Sequence, residues 1–243
     1  FGKINHRGLF KPDGNGVGKL TASIGGKTKS VQVHVSDIKQ KWTPDFIEDV
    51  NPIISKLGCN AGTCHGAKDG KNGFKLSLRG YDAIFDVRGF SDDMACRRVN
   101  VAAPDSSLML LKTSGRVPHE GGKLTGSKSK YYQVIRAWIA AGASLNEEGV
   151  RVDRIELFPT DPVVLKIGLK QQMRVVATLK NGVTRDVTRE AFITSGNGEV
   201  AEHDDFGLIS SLRRGEAPIL ARYEGRYAAT TMTVMGNRSG FQW

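Results

Sequence analysis

The chain has 243 residues, 39% of them hydrophobic, and a formal net charge of +10. That length allows one to three domains, and no run of about 18 apolar residues encodes a membrane span. There is no zinc-finger spacing, no aromatic pair in the basic stretches, no P-loop and no dinucleotide glycine pattern, so nucleic acid is not an expected partner and nucleotide chemistry is not encoded. Lys and Arg are spread along the sequence, as on a solvated surface. Such a surface also suits an acidic redox partner or an acidic polysaccharide.

Residues 1–36 read as β-structure. Lys19–Ile24 alternates, Gly25-Gly26 turns, and Ser30–Val35 alternates again, which is a hairpin. The segment returns later at a constant offset of 199 residues: Gly8-Leu9-Phe10 falls on Gly207-Leu208-Ile209, Leu20 on Ile219, Ile24 on Tyr223 and Val35 on Val234. Two copies of one module are therefore expected, with something different between them. A piece of about 36 residues cannot bury a sandwich core alone. Its earlier strands are expected upstream in a parent chain; the opening without a charged-then-apolar leader fits a removed targeting segment or an excised piece, and the excised piece is favoured.

Residues 37–43 form a linker. Thr43-Pro44-Asp45 reads as a helix start, and Phe46, Ile47, Val50, Ile53, Ile54 and Leu57 follow at helical spacing, with Pro52 expected to bend or split the helix. It delivers the chain at Cys59-Asn60-Ala61-Gly62-Thr63-Cys64-His65. Two thiols with a His directly after the second mark covalent attachment of a c-type haem. Each thiol adds to a vinyl group, and the adjacent His becomes the proximal iron ligand. Here four residues separate the cysteines where two are usual, and the small polar loop Asn60–Thr63 can bulge outward. The other reading of these residues is a Cys59–Cys64 disulfide or another metal site, with His65 incidental.

Residues 66–80 are Gly- and Lys-rich around a short extended run, Phe74–Leu78, and residues 81–100 mix helix and turn. Pro104-Asp105-Ser106 opens a short helix, Leu108–Leu111. A polar loop, Thr113–Lys130, carries Val117-Pro118-His119-Glu120-Gly121-Gly122. Tyr131–Ala140 is an amphipathic helix stopped by Gly142. From residue 151 short strands recur every eight to twelve residues, near Arg154–Phe158, Val163–Ile167, Gln172–Leu179, Thr184–Thr188, Glu199–His203, Leu208–Leu212, Pro218–Tyr223 and Ala228–Met235, with a hairpin turn at Lys180-Asn181-Gly182. The pairs Asp204-Asp205 and Glu147-Glu148 are adjacent in sequence and make no acid/base dyad. Residues 237–243 look like the start of a linker.

The helix leading into Cys59–Gly66, the Pro104-Asp105-Ser106-Ser107-Leu108 start, the Val117-Pro118-His119 loop and Trp138-Ile139-Ala140-Ala141-Gly142-Ala143 resemble the cytochrome-c-type domain of planctomycete surface proteins. The β-modules resemble the bacterial immunoglobulin-like (Big2-like) domains that accompany it. The resemblance implies a multidomain chain, an all-α cytochrome-c-like domain between all-β immunoglobulin-like sandwich modules. Its parts would be the C-terminal piece of one module (1–36), the linker (37–43), a haem domain (44–148), a second sandwich (151–236) and a linker (237–243).

One covalent haem c is implied on Cys59 and Cys64, with His65 as proximal ligand. Where the family usually has a distal Met stands Val117, and His119 is the expected distal ligand, with Met94, Met109 and Cys96 as rivals. Two imidazoles in place of His and Met would lower the reduction potential. Arg97 and Arg98 are the expected propionate contacts. Trp138, Phe74 and Tyr81 either line the pocket or pack in the core, and His6, His34 and His203 carry no assigned chemistry. The function implied is an iron-binding, electron-transfer cytochrome in the periplasm or at the cell surface. The alternatives are a haem-based sensor or peroxidase-like enzyme, and a structural or glycan-binding surface protein.

Overall fold

The computed structural model describes residues 1–5, 8–94 and 97–236. They fall into two compact units, Phe1–Trp42 and Thr43–Trp243.

The first unit is a pair of two-stranded ribbons, β1 (Gly2–Ile4) with β2 (Phe10–Pro12), and β3 (Gly16–Ile24) with β4 (Lys27–Val35). Gly25 and Gly26 join β3 to β4 with φ of 54° and 74°. Both central residues of such a tight turn need the left-handed region, which glycine enters without a Cβ clash. Thr21–Ser30 and Ser23–Thr28 hydroxyl pairs cross the hairpin at 3.0 and 3.2 Å.

The second unit begins with helical chain. A wide π-type turn, Phe46–Val50, runs into α1 (Asn51–Lys56). Its N-cap is Asp45, whose carboxylate accepts from Glu48 N–H at 2.9 Å, two residues later than the sequence suggested. Pro52 has no N–H, and its ring crowds the carbonyl four residues back, so the chain widens just before it. Next come α2 (Ala83–Ser91), α3 (Leu108–Thr113) and α4 (Lys130–Ala140). Ser129 caps α4 by accepting from Tyr132 N–H at 3.2 Å, and Gly142 closes its far end with φ 108°. These elements share one core. Trp138 packs at 5.1 Å from Phe46 and edge-on to Phe90 at 6.4 Å between ring centroids.

The β part comprises β5 (Val152–Phe158), β6 (Val163–Val164), β7 (Lys170–Gln172), β8 (Arg174–Leu179), β9 (Thr184–Asp186), β10 (Phe192–Ser195), β11 (Ala201–His203), β12 (Leu208–Ser211), β13 (Gly215–Tyr223) and β14 (Arg226–Val234). They form three small sheets in the orders β5-β8-β9, β11-β12-β7 and β10-β13-β14-β6, the last with a parallel β6–β14 edge. Their inner faces meet in a core that includes Ile155, Val175, Ile193, Ile209, Ile219 and Met232.

The expected fold class is corrected by this architecture. The described residues hold fourteen strands and only four α-helices, so the chain is mostly β. The helices span 6, 9, 6 and 11 residues. Between them the chain runs through turns that need glycine, among them Gly58, Gly70, Gly73 and Gly80, all with positive φ. That is too little helix for an all-α domain. The β part is three short sheets with a parallel edge, which is not the two-sheet antiparallel sandwich of an immunoglobulin-like module. Helical and β chain belong to the same compact unit.

Side chains fasten them. Arg185 donates to the Glu48 carboxylate at 2.7 Å and to the Tyr223 hydroxyl at 2.5 Å, and that hydroxyl donates to the Glu48 carbonyl at 3.3 Å. Lys56 donates to the Asp205 carbonyl at 2.5 Å, and burial lowers its ammonium pKa to about 8. Arg222 reaches the Arg79 carbonyl at 3.0 Å.

The internal repeat holds strand by strand. Gly2↔Pro12 in β1–β2 matches Ala201↔Ser211 in β11–β12, and Gly16↔Val35 in β3–β4 matches Gly215↔Val234 in β13–β14. Burial separates the copies: Ile24 is 85% exposed, whereas its counterpart Tyr223 is 2% exposed. A two-stranded hairpin without a covered face is marginal. Hydrogen exchange read by mass spectrometry should therefore show β13–β14 amides protected about a hundredfold more than the matching β3–β4 amides. Equal protection would show that exposure does not govern the hairpin.

Candidate functional site

The seven-residue stretch is wound as consecutive turns at the end of α1. Cys59 N–H donates to the Ile54 carbonyl (3.0 Å), Cys64 N–H to Ala61 (2.9 Å) and His65 N–H back to Cys59 (3.0 Å). Asn60 turns inward and donates to the Ser55 hydroxyl at 2.9 Å, while Gly62 and Thr63 stand in solvent. The extra residues thus bulge outward and the thiols stay half-buried. Both are free thiols. Burial pushes Cys59 up to about 12, so it remains an uncharged thiol and a poor metal ligand. Gly66 is required by contact: a Cβ there would lie 2.2 Å from the Asn60 carbonyl oxygen.

Cys59, Cys64 and His65 open onto a cavity of about 690 Å³ that Phe74, Met94, Arg97, Arg98, Met109 and His119 also line. Its size lies within the roughly 300–1,000 Å³ of small-molecule and cofactor sites. Ile54, Leu57, Phe90, Leu108, Leu124 and Ile135 give it an apolar wall, and Lys71, Lys112 and Arg97 supply positive charge.

Each histidine is tied by the same device. His65 Nδ1 lies 3.0 Å from the Phe74 carbonyl, and His119 Nδ1 lies 2.9 Å from the Gly122 carbonyl. A carbonyl only accepts, so Nδ1 is the donating nitrogen on both rings, which in a neutral imidazole leaves the lone pair on Nε2. Burial lowers the His65 pKa, with the Phe74 hydrogen bond opposing and His119 adding to the lowering, which favours neutral imidazole. The His119 loop is held by Lys112, which donates to the Pro118 carbonyl at 2.9 Å, and by a Lys71–Glu120 ion pair at 3.6 Å.

The remaining sequence candidates separate clearly. Arg97 is exposed at the cavity. Arg98 is 7% exposed and is engaged by protein: it donates to the Gly89 and Gly73 carbonyls at 2.7 and 3.1 Å and to the Met94 sulfur at 3.7 Å. Met109 is buried on α3 and lines the cavity. Phe74 lines it too, Trp138 packs in the helical core, and Tyr81 is exposed. His34 is exposed on β4, and His203 accepts from Ser195 N–H at 3.2 Å. Cys96, His6 and the 237–243 linker lie outside the described residues. Sequence reasoning missed the turn Lys71–Phe74, although Asp69-Gly70 and Asn72-Gly73 are two successive turn signatures.

One expectation is corrected here. Among the described residues no group of three or more His, Cys, Asp or Glu is placed to hold a metal ion. With the mostly-β fold, this corrects the description of the chain as a metal-binding cytochrome: the described residues build neither a metal centre from side chains alone nor a cytochrome fold. No described helix is long and apolar enough to cross a membrane.

No protein-family model matches the chain, and no curated protein matches it. Among solved structures, domains 4 and 5 of the S-layer protein SbsC align at 16% identity and TM-score 0.32, over 36% of this chain and 54% of theirs. A longer SbsC structure, rSbsC(31-844), gives 18% identity and TM-score 0.32, over 37% of this chain and 14% of that one. An endo-beta-1,4-mannanase from Thermotoga petrophila gives 13% and 0.21, over 50% and 27%. The chain thus spans about half the length of the first of these structures. Such low scores leave fold and function to be argued from the chain's own residues.

Proposed function

We propose that the cavity holds one covalently attached haem c and that the chain is the haem-carrying part of a periplasmic or cell-surface protein. One observation carries this reading. The two thiols, His65 and His119 come from segments about 60 residues apart and line the same largely apolar cavity, each imidazole anchored through Nδ1. A porphyrin brings four nitrogen ligands for its iron, so two imidazoles would suffice from the chain.

Cys59 and Cys64 would hold the group covalently, and His65 and His119 would be the imidazoles offered to its iron. Arg97, Lys71 and Lys112 would offer cations to its carboxylates. When bound, such a group supplies one-electron redox chemistry. Covalent haem is attached outside the bacterial cytoplasm, hence the compartment. The net charge of +10 suits an acidic partner, a redox protein or a polysaccharide.

A second reading is favoured by the matched β half-modules: a structural or glycan-binding surface protein without a cofactor. The chain produced with a haem-attachment system separates the two. Denatured wild-type protein should keep a haem stain and a Soret band, and a Cys59→Ala/Cys64→Ala double variant should lose both. Carbon monoxide should leave the wild-type spectrum unchanged if His119 also ligates the iron; ready binding would point to a sensor or peroxidase. A colourless wild-type protein leaves the surface reading alone.

A further inference from the structure

We infer that Arg98 is a positioning residue for His65, acting through the turn Lys71–Phe74. The inference deepens the haem reading and rests on it for its redox consequence, though not for its geometry.

The links are continuous. The turn closes on itself, with Lys71 N–H donating to the Phe74 carbonyl at 2.9 Å and Phe74 N–H to the Lys71 carbonyl at 3.0 Å. Its exit carbonyl, on Phe74, takes the His65 Nδ1–H. The turn itself belongs to no helix or sheet; its Phe74 ring packs edge-on against Phe90 of α2 at 5.1 Å, and Arg98 ties its backbone. From one buried guanidinium, Nη2 binds the Gly73 carbonyl at 3.1 Å and Nη1 binds the Gly89 carbonyl in α2 at 2.7 Å, so the turn is fastened to a helix of the core. Asp93 balances the charge at 3.7 Å.

A second link runs through rings. The guanidinium lies 4.4 Å from the Phe74 ring centroid, and that ring lies 4.6 Å from the centroid of His65. Arg98, Phe74 and His65 thus touch in series, the two rings tilted by 50°. Gly70 makes room for the Phe74 carbonyl, since a Cβ there would lie 2.3 Å from its oxygen.

A partner on Nδ1 fixes the tautomer of a ligating His and raises the basicity of Nε2. Arg98 therefore sets which nitrogen of His65 is the donor atom and how strongly it donates. Lysine cannot replace it, because an ammonium lacks the planar fork that reaches two carbonyls while stacking on a ring.

The test uses two states of the full chain. In haem-free protein, 15N NMR should find His65 as the Nδ1–H tautomer in wild type and as a tautomer mixture in Arg98→Met and Arg98→Lys. In haem-loaded protein, the same variants should shift the reduction potential upward and weaken the low-spin absorption, with Arg98→Lys no rescue. Should Arg98→Met fail to fold, Arg98→Lys and Phe74→Leu, which keeps the carbonyl and removes the ring contacts, decide the matter. Folded Arg98→Lys and Phe74→Leu variants with a wild-type His65 tautomer would overturn the inference. Failure of the wild-type chain to take haem would instead sink the haem reading, and the tautomer measurement would still stand.

Discussion

Gly66→Ala should disrupt the segment that carries both cysteines. The new Cβ would meet the Asn60 carbonyl oxygen at 2.2 Å, its carbon at 2.8 Å and the Ala61 carbonyl oxygen at 2.9 Å. All three are backbone atoms. Asn60 cannot step aside, because its side chain is buried on Ser55 and its carbonyl accepts from Arg79 N–H at 3.0 Å. Overpacking of this kind costs about 1–3 kcal/mol and sometimes more, and an unyielding wall places Gly66→Ala near the upper end. For a chain of this size that is a fall in Tm of about 6–12 °C. Gly62→Ala is the control, since its Cβ would meet nothing nearer than Leu78 Cδ1 at 3.6 Å. Calorimetry that finds the two variants melting together would refute the contact argument.

Asp86→Asn should stabilise the protein at neutral pH. Asp86 is 1% exposed, and its carboxylate accepts from the Ser77 N–H at 2.5 Å and the Ser77 hydroxyl at 2.7 Å. Burial raises its pKa from 3.8 to about 6, against the pull of both Ser77 hydrogen bonds. The folded carboxyl holds its proton more tightly than the unfolded one. Its contribution is fully present below pH 3.8 and is lost as pH rises through about 6. Two pKa units correspond to about 3 kcal/mol, an upper figure for what the buried carboxylate costs at neutral pH. The amide keeps the shape and one acceptor without the charge. Urea unfolding across this range should show the gap between variant and wild type widening by about 1–3 kcal/mol as pH rises. Parallel curves would mean that Asp86 does not titrate there.

The parts legible in the sequence were those written in local signals. The Gly25-Gly26 turn and the alternation around it fixed β3–β4, and the 199-residue offset carried that register onto β13–β14. The Cys59–His65 run and the glycine-flanked His119 loop marked residues that do line one cavity. Long-range partners left no such signal. Nothing local couples Glu48 to Arg185, 137 residues away, or turns Arg98 toward Gly73 and Gly89 when the preceding residue, Arg97, is exposed. Strand β10 was missed because Phe192-Ile193-Thr194-Ser195 is too short to show a period. The fold class failed for a related reason: apolar residues at helical spacing show where helices form, but not how much glycine-built loop separates them.

The Glu48–Arg185–Tyr223 seam has a consequence for anyone dividing the protein. A fragment cut near residue 150 would leave the Glu48 carboxylate without its guanidinium and Lys56 without the Asp205 carbonyl. The complementary β fragment would hold Arg185 and the Tyr223 hydroxyl against bare solvent. The helical and β parts, which share one compact unit, are therefore to be expressed, melted and mutated together.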